Sequence, residues 1–147
     1  MFQNIGSENL IVRKYDHIRQ PDPIFHVAKL NDERIVSANV SEKNNTITVT
    51  MPDLSKQGFF DLQKMDKHYD PLKLINWSIQ LFEDLLEQKV KNGFLGIVAV
   101  DIHERNIMSY GNSLILVDYE QFWPWDRKRE LFVRWRLNQI IKKWSNM

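Results

Sequence analysis

The chain has 147 residues, of which 43% are hydrophobic and 27% charged, and it carries a net charge of +1 and no cysteine. This composition indicates one globular domain, gives no general reason to expect a nucleic-acid partner, and excludes disulfides and thiolate zinc sites. The sequence has no run of eighteen apolar residues, and its first ten residues lack a basic start followed by an apolar stretch, so we expect neither a membrane span nor a secretion signal.

The first third of the chain predicts a small antiparallel sheet with one short helix. Pro21 and Pro23 suit the first turn of a helix. Pro52 closes the last strand, because proline has no amide hydrogen for the ladder. Runs rich in Val, Ile and Thr define the strands. In chain order we predict a strand over 10–15, a helix over 24–30, and a hairpin of strands 34–40 and 46–51 with its turn at 42–45.

A longer helix is predicted over residues 71–91. Pro71 suits its first turn, Asp70 precedes it as a cap, and Asn92-Gly93 supplies the stop. Apolar residues recur at steps of three and four, which predicts one buried stripe. That stripe consists of Ile75, Ile79, Phe82, Leu86 and Val90.

The rest of the chain predicts a short strand, a polar hairpin and a final helix. The strand covers 96–100, the hairpin pairs 107–108 with 114–117, and the helix runs from about Asp126 to Trp144. We expect the inner side of that helix to carry Leu131, Trp135 and Ile141, with either Leu137 or Asn138 between them. Strands with one helix, followed mostly by helix, predict an α+β fold.

Three polar residues at the ends of these predicted strands are candidates for chemistry. Asp101 and Asn106 lie five residues apart in one loop, and Asp118 directly follows an apolar strand. If the hairpin pairs as predicted, Asn106 and Asp118 emerge side by side. Two oxygen ligands together with phosphate oxygens suit Mg²⁺, and Asp101 would then orient a hydroxyl and accept its proton.

The segment 96–120 resembles the catalytic loop and metal-binding segment of the protein kinase-like superfamily. The resemblance rests on Asp-x-x-x-x-Asn over 101–106, followed by an apolar pair and then by apolar-apolar-Asp ending at Asp118. The histidine two residues after Asp101, and Asp118-Tyr119-Glu120 in place of Asp-Phe-Gly, are especially similar to aminoglycoside and choline phosphotransferases. In length the chain is similar to small bacterial effector kinases.

The resemblance implies a minimal kinase-like fold in one domain, 1–147, with a reduced N-lobe over 1–53 and a reduced helical C-lobe over 54–147. It implies ATP and Mg²⁺ as cofactors, with Asp101 and Asn106 catalytic and with Asn106 and Asp118 holding the metal. Residues implied to contact the nucleotide are Lys14, as the phosphate lysine, and Met51 and Asp53, in the interlobe hinge. The implied function is phosphoryl transfer to a hydroxyl of a protein or small molecule.

Departures from the kinase pattern support an alternative function. Ala99 stands where protein kinases have a histidine, only Gly6 precedes Lys14 as a glycine, and the predicted helix 24–30 contains no glutamate. The alternative is a catalytically inactive, kinase-like module that binds another protein. Because we see neither a signal peptide nor a membrane span in the sequence, we expect a cytoplasmic location, in the cell of origin or in a host cell after delivery.

The C-terminal segment is rich in tryptophan and basic residues. Four of the five tryptophans lie after residue 120, interleaved with arginines and lysines. Such a helix can bind nucleic acid, a membrane surface or a protein partner. We favour burial of its aromatic residues against the core. We therefore predict that the tail folds back onto helix 71–91 and the polar hairpin, burying Phe122, Trp123, Trp125, Phe132, Trp135 and Trp144.

Overall fold

The fold is taken from a computed structural model that describes residues 9–16, 18, 20–64, 69–89 and 95–146. The expected stop at Asn92-Gly93 lies outside these residues. Short 3₁₀ turns cover Leu54–Gln57, Leu62–Lys64 and Glu104–Asn106. The main elements are β1 (Leu10–Asp16), α1 (Asp22–Leu30), β2 (Asn39–Lys43), β3 (Thr46–Pro52), β4 (Phe60–Asp61), α2 (Pro71–Leu86), β5 (Ile97–Ala99), β6 (Ile107–Tyr110), β7 (Ser113–Leu116), β8 (Phe122–Pro124) and α3 (Arg127–Ser145).

The first sheet has the order β1-β3-β2, with both pairs antiparallel. Strand β3 occupies the centre, and its alternate residues Ile47, Val49 and Met51 are buried. Asn44 and Asn45 both have positive φ angles, 53° and 65°. A two-residue turn of this kind matches the right-handed twist of a hairpin, which explains why asparagine occupies both positions.

The predicted strand 34–40 begins only at Asn39, and the segment before it has another role. Ile35 forms a parallel bridge with Leu116. The Val36 amide donates to the Leu116 carbonyl at 2.9 Å, and the Leu116 amide donates to the Arg34 carbonyl at 2.8 Å. The hydroxyl of the buried Tyr119 donates to the Val36 carbonyl at 2.7 Å. This segment therefore ties the first sheet to the polar hairpin.

Helix α2 has the predicted cap but a different buried face. Asp70 accepts a hydrogen bond from the Leu72 amide at 3.0 Å. The predicted stripe is confirmed at Phe82, but Ile79 is exposed and Leu86 only half-buried, and Val90 lies outside the described residues. The helix has apolar residues on two adjacent rows, and neighbouring elements cover only one of them. The residues buried on α2 are Leu74, Ser78, Leu81, Phe82 and Leu85.

The polar hairpin is confirmed, and the strand before it pairs with a strand that the sequence did not predict. Strands β6 and β7 are antiparallel, with Ile107 opposite Leu116. Strand β5 pairs with β8, which places Ala99 opposite Phe122. A Cβ atom on Gly96 would overlap the Leu86 carbonyl oxygen. Glycine is therefore required where the chain entering β5 passes the end of α2.

Helix α3 folds back onto the domain as predicted, and the predicted Leu137 and Trp144 are buried, but the predicted Trp123, Phe132 and Trp135 are exposed. Asp126 caps it by accepting from the Arg129 amide at 3.1 Å. Its buried residues are Val133, Leu137 and Trp144. The expected inner residues Leu131 and Trp135 are exposed instead. The ion pair of Arg134 with Glu83 links α3 to α2.

The prediction of an α+β fold is confirmed: three helices of eight or more residues accompany small antiparallel sheets in the described part of the chain. One cluster of buried side chains includes residues from both the first sheet and the segment after residue 54. None of the described helices is both long and apolar enough to span a membrane.

Candidate functional site

A cavity of about 510 Å³ lies between the first sheet and the polar hairpin. Its walls come from sequence-distant parts of the chain, which the Ile35–Leu116 bridge holds together. Its lining includes four polar groups on separate elements: Arg13, Asp53, Asn106 and Asp118. Asp53, Asn106 and Asp118 are three of the predicted site residues, so the fold brings them to one place.

Strand alternation decides which basic residue of β1 faces this cavity. Ile11, Arg13 and Tyr15 line it, whereas Lys14 does not, although Arg13 and Lys14 are both exposed to solvent. Successive side chains of a strand point to opposite faces, and the register that places Lys14 opposite Thr48 fixes this arrangement. The structure therefore brings Arg13, and not Lys14, to the predicted metal-binding residues.

Asn106 and Asp118 are adjacent because the hairpin ladder continues past its last paired strand residues. The Val117 amide donates to the Asn106 carbonyl at 2.9 Å. The Asn106 side-chain nitrogen donates to the Asp101 carboxylate at 2.9 Å and to its carbonyl at 3.1 Å. Both bonds use the amide nitrogen, which leaves the amide oxygen of Asn106 as a potential cation ligand.

The Asp118 carboxyl is half-buried beside other negative charges. Burial raises its pKa, and the nearby Glu120 and Asp101 raise it further. A hydrogen bond from the Glu120 amide, at 3.0 Å, and the positive charge of Arg13 act in the opposite direction. A carboxylate in such a position gains from a bound cation, which would offset both the burial and the repulsion.

Replacing Asp118 by Asn is therefore expected to raise the free energy of unfolding at pH 7 in the absence of divalent cations. The folded-state pKa of Asp118 is raised, so its stabilising contribution is complete below its ordinary value of 3.8 and is lost as the pH rises through the folded-state value. Asparagine retains the oxygen that accepts from Glu120. Urea unfolding of both proteins across this pH range checks the prediction, and the difference should shrink towards pH 4.

If Asp118→Asn is instead less stable than wild type at pH 7, that result contradicts the inference that the ionised Asp118 carboxylate lowers the stability of the fold. Wild type should also gain more stability from millimolar Mg²⁺ than Asp118→Asn does, because only the wild type offers a carboxylate to the cation.

Asp101 lies beside the cavity and is held by charged and amide groups. An Arg105 guanidinium nitrogen lies 2.9 Å and 3.0 Å from its two carboxylate oxygens. Arg136 of α3 lies 3.7 Å from one of these oxygens. The carboxylate is thus fixed in orientation by the loop that carries Asn106 and by the last helix.

The two predicted hinge residues both line the cavity, but they differ in what they offer a ligand. Met51 is buried and offers an apolar surface. Asp53 accepts from the Ser55 amide and hydroxyl, at 3.1 Å and 2.6 Å, and its own amide donates to the Asn9 carbonyl at 2.8 Å. Its carboxylate therefore caps the turn that follows β3, and its amide is used by the residue that precedes β1.

The Tyr15 hydroxyl is a polar group of the cavity that sequence reasoning missed. It is buried and has no hydrogen-bond partner among the described residues. Burial, and then the charge of Asp118, raise its pKa to about 12. It remains protonated at physiological pH.

No protein-family model matches the chain, and a comparison with curated proteins likewise gave no match. Within the described ranges, no group of three or more His, Asp or Glu side chains is arranged to hold a metal ion. A cation here would take Asn106 and Asp118 as its protein ligands and complete its shell with ligand oxygens and water, as Mg²⁺ commonly does.

Two further residues of the site carried only weak indications in the sequence. Arg13 lies on the same face of β1 as Ile11 and Tyr15. The other face of β1 also contains apolar residues, so the sequence did not indicate which face is buried. Arg105 is four residues after Asp101, a spacing that brings side chains together only if the loop turns. His103 accepts from the Arg105 amide at 3.2 Å and thereby caps the turn that carries Asn106.

Proposed function

We propose that the chain is an ATP- and Mg²⁺-dependent phosphotransferase acting on a hydroxyl group. The observation that carries the proposal is the convergence of an apolar edge, Met51, a cation, Arg13, and two oxygen ligands, Asn106 and Asp118, on one cavity of about 510 Å³. Cavities of this size accommodate a nucleotide-sized ligand. A reaction that uses ATP also favours the cytoplasmic location implied by the sequence, in the cell of origin or in a host.

The oxygen donors fit Mg²⁺. Asn106 and Asp118 would hold the ion, which would supply positive charge to offset the charge of the phosphate groups. The raised pKa of Asp118 supports this fit, because a bound cation favours the ionised carboxylate.

Arg13 supplies the positive charge that an anionic ligand requires. A guanidinium binds phosphate through charge-assisted hydrogen bonds. We therefore assign the contact with the nucleotide phosphates to Arg13 instead of Lys14.

Asp101 is the group that would receive the acceptor's proton. In the proposed step the hydroxyl oxygen forms a bond to the γ-phosphorus, the bond from that phosphorus to the bridging oxygen of ADP breaks, and the proton passes to the Asp101 carboxylate. Arg105 and Asn106 keep the carboxylate oriented through the contacts described above. Catalysis of this kind depends mainly on position and charge.

Thermal melting with and without ATP and Mg²⁺ tests the proposal. When the free ligand concentration is ten times the dissociation constant, binding stabilises the folded state by about 1.4 kcal/mol. For a chain of this length, that raises the melting temperature by roughly 3–6 °C. Asp118→Ala should lose most of this shift. A wild-type protein that does not respond to millimolar ATP and Mg²⁺ would overturn the proposal.

Replacing Arg13 by Gln is expected to weaken ATP binding about 10- to 100-fold, the loss of one hydrogen bond to a charged group. Lys14→Gln is the matched control, since it removes the same charge from the neighbouring residue on the opposite face of β1. We expect this control to bind ATP within about twofold of wild type. Titration calorimetry measures the affinity of both variants for ATP. If Lys14→Gln weakens binding more than Arg13→Gln does, the phosphate contact is made by Lys14 instead.

The second candidate is the catalytically inactive module that binds another protein. It is favoured by the Asp101 carboxylate, which Arg105 and Asn106 already engage, and by Asp53, whose amide and carboxylate are used within the chain. Substitution of Asp101, described in the Discussion, separates the two candidates.

A further inference from the structure

One face of α3 combines exposed apolar side chains with lysines. Leu131, Phe132 and Trp135 are 57%, 58% and 60% exposed, and the rings of Phe132 and Trp135 contact each other with centroids 6.3 Å apart. Lys128 and Lys142 are exposed on the same face at its two ends. Residues at spacings of three, four and seven share one side of a helix, and this side carries no acidic residue.

This face is a separate surface from the one that stabilises the fold. The buried side of α3 consists of Val133, Leu137 and Trp144. Arg134 on another side is paired with Glu83 and Glu130. Lys128 and Lys142, in contrast, have no ion-pair partner within the described residues.

The exposed face is continuous with the candidate catalytic loop. The Arg136 guanidinium lies 5.9 Å from the centroid of the Phe132 ring and 3.7 Å from an Asp101 carboxylate oxygen. Arg136 therefore connects the exposed ring to the carboxylate. A molecule bound along α3 would reach Asp101 at this point.

The charges and length of the face restrict what can bind there. A second copy of the chain, related by a two-fold axis across Trp135, would bring Lys128 against Lys142, and like charges in contact disfavour that pairing. From Lys128 to Lys142 the helix rises about 21 Å, a length that an extended segment of about six residues spans. A single sugar is too short to contact both lysines.

We propose that this face of α3 docks an acidic protein segment and that this segment carries the acceptor hydroxyl to Asp101. Acidic side chains of the partner would pair with Lys128 and Lys142, and its apolar side chains would cover Leu131, Phe132 and Trp135. The role as acceptor rests on the proposed phosphotransferase function, whereas the docking itself does not.

A fluorescein-labelled random copolymer of glutamate and tyrosine is a suitable probe, because it supplies acidic, aromatic and hydroxyl groups together. Its binding is measured by fluorescence anisotropy in 0.1 M salt. We expect Phe132→Ala/Trp135→Ala and Lys128→Glu/Lys142→Glu each to weaken binding at least tenfold. Lys73→Glu, which changes an exposed lysine on α2, is the matched control and should bind as wild type does.

The same variants separate this inference from the proposed function. The α3 variants should retain the wild-type thermal response to ATP and Mg²⁺, whereas Asp118→Ala should lose that response and still bind the copolymer. Specific copolymer binding without any response to ATP would support docking but overturn the acceptor role. Equal binding by all variants, or no binding by wild type, overturns docking. Docking of an acidic segment is also overturned if the α3 residues are required for binding an oligonucleotide or anionic lipid vesicles but not for binding the copolymer.

Discussion

Removal of residues 122–147 is expected to unfold the whole domain and not merely to weaken one contact. The deletion removes β8, the pairing partner of β5. It also removes Phe122, Val133, Leu137 and Trp144, all of them buried. Burial of side chains of this kind contributes roughly 1.5–3 kcal/mol each, so their sum is comparable to the whole stability of a domain, about 5–15 kcal/mol.

The truncated chain should show no cooperative melt when thermal unfolding is followed by circular dichroism. Phe132→Ala/Trp135→Ala is the control, because it removes two aromatic side chains of the same segment that are largely exposed. We expect this double variant to melt within a few degrees of wild type. A truncated protein that keeps a cooperative melt close to that of the full chain would contradict the prediction and free the tail for another role.

Replacing Asp101 by Asn is expected to lower phosphoryl transfer by about 10²- to 10⁴-fold, the range of a lost general base. Asparagine keeps an oxygen that can accept from Asn106, but it cannot accept the hydroxyl proton. The pair with Arg105 lies near the surface, and its loss costs less than about 1 kcal/mol, so the fold should persist. The measurement is transfer of labelled γ-phosphate from ATP to the protein itself, to the glutamate–tyrosine copolymer or to water.

Arg105→Gln is the control for this experiment. It breaks the same ion pair but leaves the Asp101 carboxylate in place, held by Asn106. We expect it to retain most of the activity that Asp101→Asn loses. A rate for Asp101→Asn equal to that of wild type would support the inactive protein-binding module instead.

Elements defined by local interactions could be predicted from the sequence with small errors. Strand β1, the asparagine turn, the Asp70 cap and the hairpin of β6 and β7 depend on neighbouring residues, and each lies within a few positions of its prediction. Segment 34–38 was predicted as a continuation of β2. It pairs with Leu116 instead, a contact between residues about eighty positions apart that no local pattern encodes.

The candidate site likewise has a part that the sequence could predict and a part that it could not. Asn106 and Asp118 could be paired from the sequence, because the hairpin between them fixes their separation. Arg13 could not be chosen over Lys14, because both faces of β1 carry apolar residues and only the packing of the sheet decides which is inside. The exposed face of α3 was missed for a similar reason, since the burial of Trp144 and exposure of Trp135 depend on where α2 and β5 lie.

The sequence by itself determined the fold class, most element bounds and the hairpin that joins Asn106 to Asp118, since these follow from periodicity, caps and turn residues within a few positions. Only the tertiary structure decided which faces are buried and that Arg13, Tyr15 and Asp118 share one cavity. The physical reason is that a strand or helix with apolar residues on two faces can bury either one. The choice depends on the elements packed against it, which lie far away in the chain.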